Sequence, residues 1–391
     1  MGKNKLTIGG LCSGVGGIEL GFRNAGFEIS WANDMDRNCM TTYESIIGNN
    51  HFIGGKPQKI RNIIESGDIP DPVTVLASGF PCQAFSIAGE RKGFEDARGT
   101  VIYDIIDFIK QYEKKNRPKV LFLENVKNFR KHDKENTYNR IVEELNAIDY
   151  SVYTKILNSC DYSNVPQNRE RTYMTCFLGE ENWSKFNLHN ADTISVADMK
   201  EAINECPMTA AFHLNFPAKN SRANLVKIQS FLDEKVDEKY YYNKNQFNQY
   251  YKMLKEQQSL DLRTAYQIRR IYTRKNENDL CPTLTANMGT GGHNVPIVQR
   301  VGENNKTLYR KLTPIECFRF QGYGKYAGKI PYGVLADGQL YKQAGNSVTV
   351  SVVVRLAQAV RIALNSPLQK SQSPKIGIGS AGVFDSNDND E

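Results

Sequence analysis

The first half of the chain alternates short apolar runs with amphipathic stretches. Leu6 to Cys12 has the texture of a strand, glycines follow it, and Ile18 to Asn24 has helical spacing; Phe27 to Ala32 then reads as a second strand. Val73 to Ala77 and Val120 to Leu123 are unbroken apolar runs, as strands covered on both faces should be. Thr100 to Tyr112 places Ile102, Ile105, Ile106 and Ile109 at spacings of three and four, which predicts a helix with one apolar face. Tyr138 to Ile148 repeats the pattern through Ile141, Val142, Leu145 and Ile148, and Ser151 to Leu157 and Thr172 to Leu178 close the series. Strands separated by helices predict an α/β fold with a doubly wound, mostly parallel sheet.

The texture changes near Gly179. Residues 180 to 308 are rich in Asn, Lys, Gln and Tyr and lack regular alternation, and a glycine-rich stretch runs from Met288 to His293. Apolar order returns at Leu312 to Phe320, and Val348 to Ile362 is a helix candidate. The expected organisation is a first domain over 1–183, a smaller irregular domain over 184–309, a return segment over 310–365, and a disordered tail over 366–391 of Ser, Pro, Gly, Asn and Asp.

Composition narrows this picture only a little. The 391 residues are 40% hydrophobic and 24% charged, enough for a full core. No run reaches the roughly 18 apolar residues a membrane helix needs, and the N-terminus has no secretory signal pattern. Eight cysteines, at 12, 39, 82, 160, 176, 206, 281 and 317, show no two-residue pairing, so neither a metal site nor a disulfide framework is expected. The reading is of a reduced, cytoplasmic protein. A net charge of +7 suggests an anionic partner without identifying it.

Candidate chemistry lies at the ends of the predicted strands. Cys12-Ser13-Gly14-Val15-Gly16-Gly17 joins the first strand to the first helix, where glycines let backbone approach a ligand. Asn33-Asp34-Met35-Asp36 ends the second strand, where an acid can accept hydrogen bonds from ribose hydroxyls. That pattern suits a nucleoside-containing cofactor. It leaves open a dinucleotide or S-adenosylmethionine (SAM), although the missing third glycine of G-x-G-x-x-G leans away from pyrophosphate. Gly79-Phe80-Pro81-Cys82-Gln83 follows a buried strand, and Pro81 fixes the backbone just before a candidate thiol nucleophile, Cys82. Glu124 follows the next buried strand, so a thiol and a carboxylate share one sheet edge and suit attack on an electron-poor ring. Arg169 and Arg171 alternate on an extended segment and would clamp a phosphate or an exocyclic oxygen. Cys39 and Cys160 read as structural cysteines.

These segments, with Arg310-Lys311-Leu312-Thr313 and Gly345-Asn346-Ser347-Val348, occur in an order that resembles the DNA (cytosine-5)-methyltransferases, in particular those of bacterial restriction–modification systems. The match covers residues 5–178 and 310–365. The resemblance implies a SAM-dependent methyltransferase fold whose target-recognition domain is the irregular stretch. It implies a catalytic set of Cys82, Glu124, Arg169 and Arg171. It places the cofactor against Ser13, Gly14, Gly16, Gly17, Asp34, Met35, Phe80, Pro81, Asn346 and Ser347. Contacts to double-stranded DNA fall to Gln83, Ser86, Arg270, Tyr272, Thr283, Gly291 and Gly292. A monomer is implied, and a cognate restriction nuclease would act on the same site without touching the enzyme.

The implied mechanism is addition of the Cys82 thiolate to C6 of a flipped-out cytosine, with Glu124 holding N3 and the exocyclic amine and the arginines orienting the base. The sequence departs from the family at the cofactor end. Cys12 stands where an aromatic is usual, Met35 where a Trp often follows the ribose acid, and Lys59-Ile60-Arg61 where an acid reads adenine. Three other readings explain less. A tRNA-directed relative has a shorter recognition region, a non-enzymatic DNA-binding module has no use for the glycine and Pro-Cys turns, and a dinucleotide oxidoreductase leaves the arginine segment unexplained.

Overall fold

The computed structural model describes residues 5–81, 101–179, 217–221, 225–245, 248–257, 259–269, 272–276, 279–289 and 295–365. The expected nucleophile Cys82, the DNA-contact candidates Gln83, Ser86, Arg270, Gly291 and Gly292, and the tail over 366–391 lie outside the described residues.

The elements of the first part are β1 (Thr7–Leu11), α1 (Gly17–Asn24), β2 (Glu28–Ala32), α2 (Arg37–Ile46), α3 (Ile60–Ser66), β3 (Val75–Ser78), α4 (Val101–Lys110), β4 (Val120–Val126), α5 (Asn136–Ala147), β5 (Tyr150–Asn158), the short α6 (Ser159–Tyr162) and β6 (Glu170–Leu178). The six strands form one sheet in the order β2-β1-β3-β4-β6-β5. β2, β1, β3 and β4 run parallel, and β6 is antiparallel to both of its neighbours, β4 and β5. The chain moves from β1 outward to β2, then back across to β3. A switch of direction of this kind opens a crevice at the carboxyl ends of the two central strands.

Side chains alternate across the sheet. Leu76, Leu121 and Leu123 pack with Ile63 of α3, Ile105 and Ile109 of α4 and Ile141 and Leu145 of α5 on one face. Val75, Ala77, Val120 and Phe122 pack on the other, with Phe22 of α1 and the last helix of the chain. The isoleucine spacing therefore gives α4 its buried stripe, as expected.

The remaining elements are β7 (Tyr241–Tyr242), α7 (Asn248–Gln257), β8 (Tyr266–Ile268), β9 (Thr273–Lys275), β10 (Ile297–Val301), β11 (Thr307–Lys311), α8 (Pro314–Phe320), α9 (Asp337–Asn346) and α10 (Val350–Asn365). The second sheet is antiparallel, in the order β7-β11-β10-β8-β9. Tyr242, Tyr266 and Tyr309 are buried in its core with Leu254 of α7, so these tyrosines serve packing. β11 runs across residue 310, the expected start of the return segment.

α8 begins with a capping box between Thr313 and Glu316 and has Pro314 in its first turn. Glu316 also takes a two-pronged pair from Arg310, Nη1 to Oε2 2.8 Å and Nη2 to Oε1 2.7 Å, with both side chains closed to solvent. The Arg-Lys-Leu-Thr segment thus joins strand to helix through one buried ion pair. Asp337–Asn365 as a whole is long and apolar enough to cross a membrane by composition, which the sequence reading did not register. It is two helices, parted at 347–349, and Val352, Val353, Leu356, Ala357 and Val360 of the second are buried against α1 and the first sheet.

Candidate active site

The turn after β1 takes its shape from backbone conformations that few side chains allow. Cys12, Gly14 and Gly16 all have positive φ, at 52°, 54° and 80°. Glycine adopts these at little cost, whereas Cys12 is held there under strain. Ser13 N donates to Asn33 O (2.9 Å) and Gly16 N to Ser13 O (2.9 Å), which ties the turn to the end of β2. Asp34 completes the tie: Oδ2 accepts from Gly14 N (2.8 Å) and Oδ1 from Asp36 N (2.9 Å). The acid expected to meet ribose hydroxyls therefore braces the glycine turn, with part of its acceptor capacity still open. Burial raises its carboxyl above the ordinary range, and the backbone amides of Asp36 and Gly14 oppose the shift.

Above this turn is a cavity. Cys12, Ser13, Gly14, Val15, Gly17 and Ile18 form one wall, Gln343, Asn346, Ser347 and Val348 the opposite one, and Cys39, Gly79 and Glu124 the rest. The two main walls are some three hundred residues apart in sequence and meet because α10 packs on α1 and the first sheet. Two polar atoms in the walls, Ser13 Oγ and Gln343 Nε2, are buried with no hydrogen-bond partner among the described residues. Buried polar atoms are rarely left unmatched, so the walls fit a ligand that brings its own donors and acceptors.

Of the expected cofactor residues, Ser13, Gly14, Gly17, Asn346 and Ser347 line this cavity. Gly16, Asp34, Met35, Phe80 and Pro81 are not among its lining residues. A Cβ on Gly16 would press on Ile47 and Tyr43, so this glycine admits α2. Phe80 is buried edge-on against Phe129, with ring centres 5.5 Å apart. Met35 is 67% exposed, and Pro81 is also exposed. Cys39, read from the sequence as a structural cysteine, also lines the cavity. Its position just past the Asp36 cap of α2 was the available signal.

Glu124 closes the sheet end of the cavity. It is the fifth residue of β4, 7% exposed, and a Cβ built on Gly79 would lie 3.7 Å from its Oε2. Arg171 Nε lies 3.3 Å from Glu124 Oε1. Burial raises the Glu124 carboxyl, and Arg171 and then Arg169 draw it back.

The two arginines differ in use. Arg169 is fully buried and donates from Nη1 to Leu284 O (2.7 Å) and from Nη2 to Gly345 O (3.0 Å) and Ser347 O. It clamps the start of β6 to the segment around Leu284 and to the end of α9. Its terminal nitrogens are committed to carbonyls, while its Nε has no hydrogen-bond partner among the described residues. The same junction explains Gly345: a Cβ there would sit 2.2 Å from the carbonyl carbon of Thr285. Gln167 reinforces it, with Nε2 donating to Phe320 O (2.5 Å) and Oε1 accepting from Leu284 N (3.3 Å).

On the far side of that junction is a polar groove lined by Asn168, Gln267, Arg269, Arg274, Asn276, Thr283 and Thr285. Thr283 Oγ1 donates to Asn168 O (2.5 Å), which links the groove to the arginine segment. Gln267 Oε1 accepts from Arg269 (3.0 Å) and Arg274 (3.4 Å) on the β8–β9 hairpin. Tyr272 is 49% exposed on the same hairpin, and the structure does not place it among the groove residues. The sequence reading missed Arg269, Arg274 and Gln267, which belong to no motif.

A mostly parallel sheet with a glycine turn at its switch point, and a carboxylate–arginine pair beside the resulting cavity, is the architecture of α/β enzymes that bind a ligand at the carboxyl ends of their strands. Residues 6–361 match the family described as C-5 cytosine-specific DNA methylase, and the chain belongs to that family. It is 42% identical over 357 residues to the type II methyltransferase M.Bsp6I of Bacillus sp. (strain RFL6), covering 91% of this chain and 98% of that one. It is 33% identical over 371 residues to the type II methyltransferase M.HhaI of Haemophilus parahaemolyticus, covering 91% and 94%. Among solved structures, the S. pombe Dnmt2 methyltransferase shares the fold at a TM-score of 0.61 and 16% identity, over 93% of this chain and 100% of that one. The protein is a C-5 cytosine-specific DNA methyltransferase and uses a methyl donor.

Proposed function

We propose that the donor is SAM and that the enzyme modifies a cytosine within a short specific sequence of duplex DNA, by way of a covalent bond between Cys82 and C6. The observation that carries this reading is the Glu124–Arg171 pair in the wall of the cavity built on the glycine turn. Ser13, Gly14, Gly17, Asn346 and Ser347 would hold the cofactor, and the unmatched Ser13 and Gln343 atoms suit its polar groups. Bound there, SAM supplies an electrophilic methyl group.

The chain's own residues do the rest. Cytosine C5 is a poor nucleophile, and addition of the Cys82 thiolate at C6 pushes electron density onto it. Glu124 holds the proton at ring N3 as the thiolate adds, and Arg171 fixes the Glu124 carboxyl and faces the base. Once C5 carries the methyl group, loss of its remaining proton to water expels the Cys82 thiolate from C6, and the N3 proton returns to Glu124, which restores the ring. Because C6 is shielded in stacked duplex, the base must be extruded. Arg169 serves as a positioning residue. The groove of Gln267, Arg269, Arg274 and Thr283 would take the flanking DNA, with Tyr272, Arg270, Gly291 and Gly292 near it in sequence and Gln83 and Ser86 beside the thiol in sequence. A cognate restriction nuclease reading the same site would be kept from modified DNA, and neither it nor a second copy of the chain is required for the chemistry.

The test is methyl transfer from tritiated SAM to DNA, together with trapping on DNA containing 5-fluorocytosine. Wild type should form a denaturation-resistant adduct, since the C5 fluorine cannot leave as a proton does. Cys82→Ser should form none while still binding SAM. Full transfer by Cys82→Ser, or no adduct with wild type under turnover, would overturn the nucleophile.

A further inference from the structure

Beneath the glycine turn lies a carboxylate that the proposed mechanism does not use. Glu19, on the first turn of α1, is 1% exposed. Neither of its oxygens has a hydrogen-bond partner among the described residues. It sits directly behind the cavity wall. A Cβ on Gly10 would lie 1.8 Å from Glu19 Oε1 and 2.5 Å from Ser13 Oγ, so only glycine leaves room for the carboxylate to lie beside Ser13. Ser13 lines the cavity, and its own hydroxyl is buried and unmatched. A buried, unpaired carboxylate is costly unless something supplies the opposite charge. No lysine or arginine is paired with it among the described residues.

The ionisable groups that face Glu19 from other elements are Asp34 at the end of β2, Tyr43 of α2 and Tyr323 after α8. None of these is cationic. Burial raises both tyrosines far above neutral pH, so they stay uncharged near it. The carboxyl can stay protonated, or ionise when a cation comes near; Arg23 one turn along α1 is committed to Ile47 O, and the cavity beyond Ser13 is where a bound cation would approach.

We propose that Glu19 is the counter-charge to the cationic methyl donor, acting through Ser13, and that it makes the cavity prefer the sulfonium cofactor over its demethylated thioether product. This rests on the reading that the donor is SAM. Its sulfur carries a positive charge before transfer and none after, so the attraction weakens once the methyl group has left. A residue of this kind favours exchange of spent for fresh cofactor. Burial raises the Glu19 carboxyl to about 7, and the Ser13 hydroxyl, close by but outside ordinary hydrogen-bond geometry, offsets part of this. The preference should therefore grow as pH rises through neutrality and the carboxylate forms.

The test is calorimetric titration of the full chain with SAM and with S-adenosylhomocysteine at about pH 5.5 and 8.5. Wild type should favour SAM more strongly at the higher pH, by roughly tenfold, the size of an interaction between unit charges about 12 Å apart at an effective dielectric of about 20. Glu19→Gln should lose that gain and leave the affinity for S-adenosylhomocysteine within about twofold. The ligands' own amino groups titrate alike against both proteins, so the difference between the proteins isolates Glu19. Glu19→Asp, which keeps the charge, should keep the direction of the effect. A SAM-to-product ratio that does not change with pH in wild type would overturn the proposal without any variant. So would an identical ratio in Glu19→Gln. Failure of wild type to bind either ligand would overturn the SAM reading itself.

Discussion

Glu124 and Arg171 meet diagonally across the antiparallel β4–β6 pair, 3.3 Å from Oε1 to Nε, with 9% and 14% of their side chains exposed. The register produces this contact. Glu124 lies opposite Tyr173, so Arg171 is the neighbour two residues along, within reach of a long side chain. One effect of burial and one of charge then oppose each other at the carboxyl, and burial prevails.

A carboxyl held in this way gives up its proton less readily than an exposed one, which suits proton transfer to a ring nitrogen. Glu124→Gln should lower the rate of methyl transfer by about two to four orders of magnitude. Its thermal melt should stay close to wild type, since the amide fills the same volume. Initial rates on duplex DNA check this, and a loss below about tenfold would remove Glu124 from the proton chemistry.

Arg169 and Arg171 should separate into stability and activity. Arg169→Met leaves the carbonyls of Leu284, Gly345 and Ser347 unpaired in the interior. At about 1–3 kcal/mol for each buried polar group left unmatched, the loss should exceed about 3 kcal/mol. Arg171→Met leaves Glu124 able to take up a proton in place of its cation, so it should cost less, about 1–2 kcal/mol, while its activity falls steeply. Urea unfolding measured beside methylation tests the division; equal losses of stability in the two variants would erase it.

Without ligand, the Glu19 carboxyl makes stability depend on pH. Folding raises it from 4.5 to about 7, so the folded chain holds the proton more tightly than the unfolded chain. The resulting stabilisation is fully present below pH 4.5 and is lost as pH rises through 7. Above that, the difference amounts to up to about 3 kcal/mol. Glu19→Gln should therefore melt higher than wild type at about pH 8.5 and much the same at about pH 5. Calorimetric melts without cofactor decide this, and a pH-independent gap would reject it.

Arg269 and Arg274 flank Gln267 in the polar groove. If each neutralises one phosphate, Arg269→Ala and Arg274→Ala should each reduce the slope of log affinity against log salt by about one. Fluorescence anisotropy with duplex DNA at several salt concentrations measures the slope. An unchanged slope with a changed preference among sequences would instead place the arginine on a base edge.

The parallel strands could be read because burial on both faces leaves an unbroken apolar run, as in Val75–Ser78 and Val120–Val126. α4 could be read from four isoleucines at helical spacing. α9 could not: Asp337–Asn346 carries few large apolar residues, and its inner face includes Gln343, Ala344 and Gly345. The second sheet also escaped notice, because strands of two to five residues are too short to show a period. At the site, Glu124 and Arg171 were legible because each adjoins an apolar run that reads as a strand, although the structure carries both strands past them. Gln343 and Glu19 were not. Gln343 reaches the cavity only through packing between distant segments, and Glu19 looks like a solvated helix residue until the fold closes over it.

One consequence follows from a cavity whose opposite walls are Cys12–Ile18 and Gln343–Val348. A polypeptide still emerging from the ribosome has the first wall and lacks the second. A chain truncated upstream of α9 lacks the second wall and should transfer no methyl group to DNA.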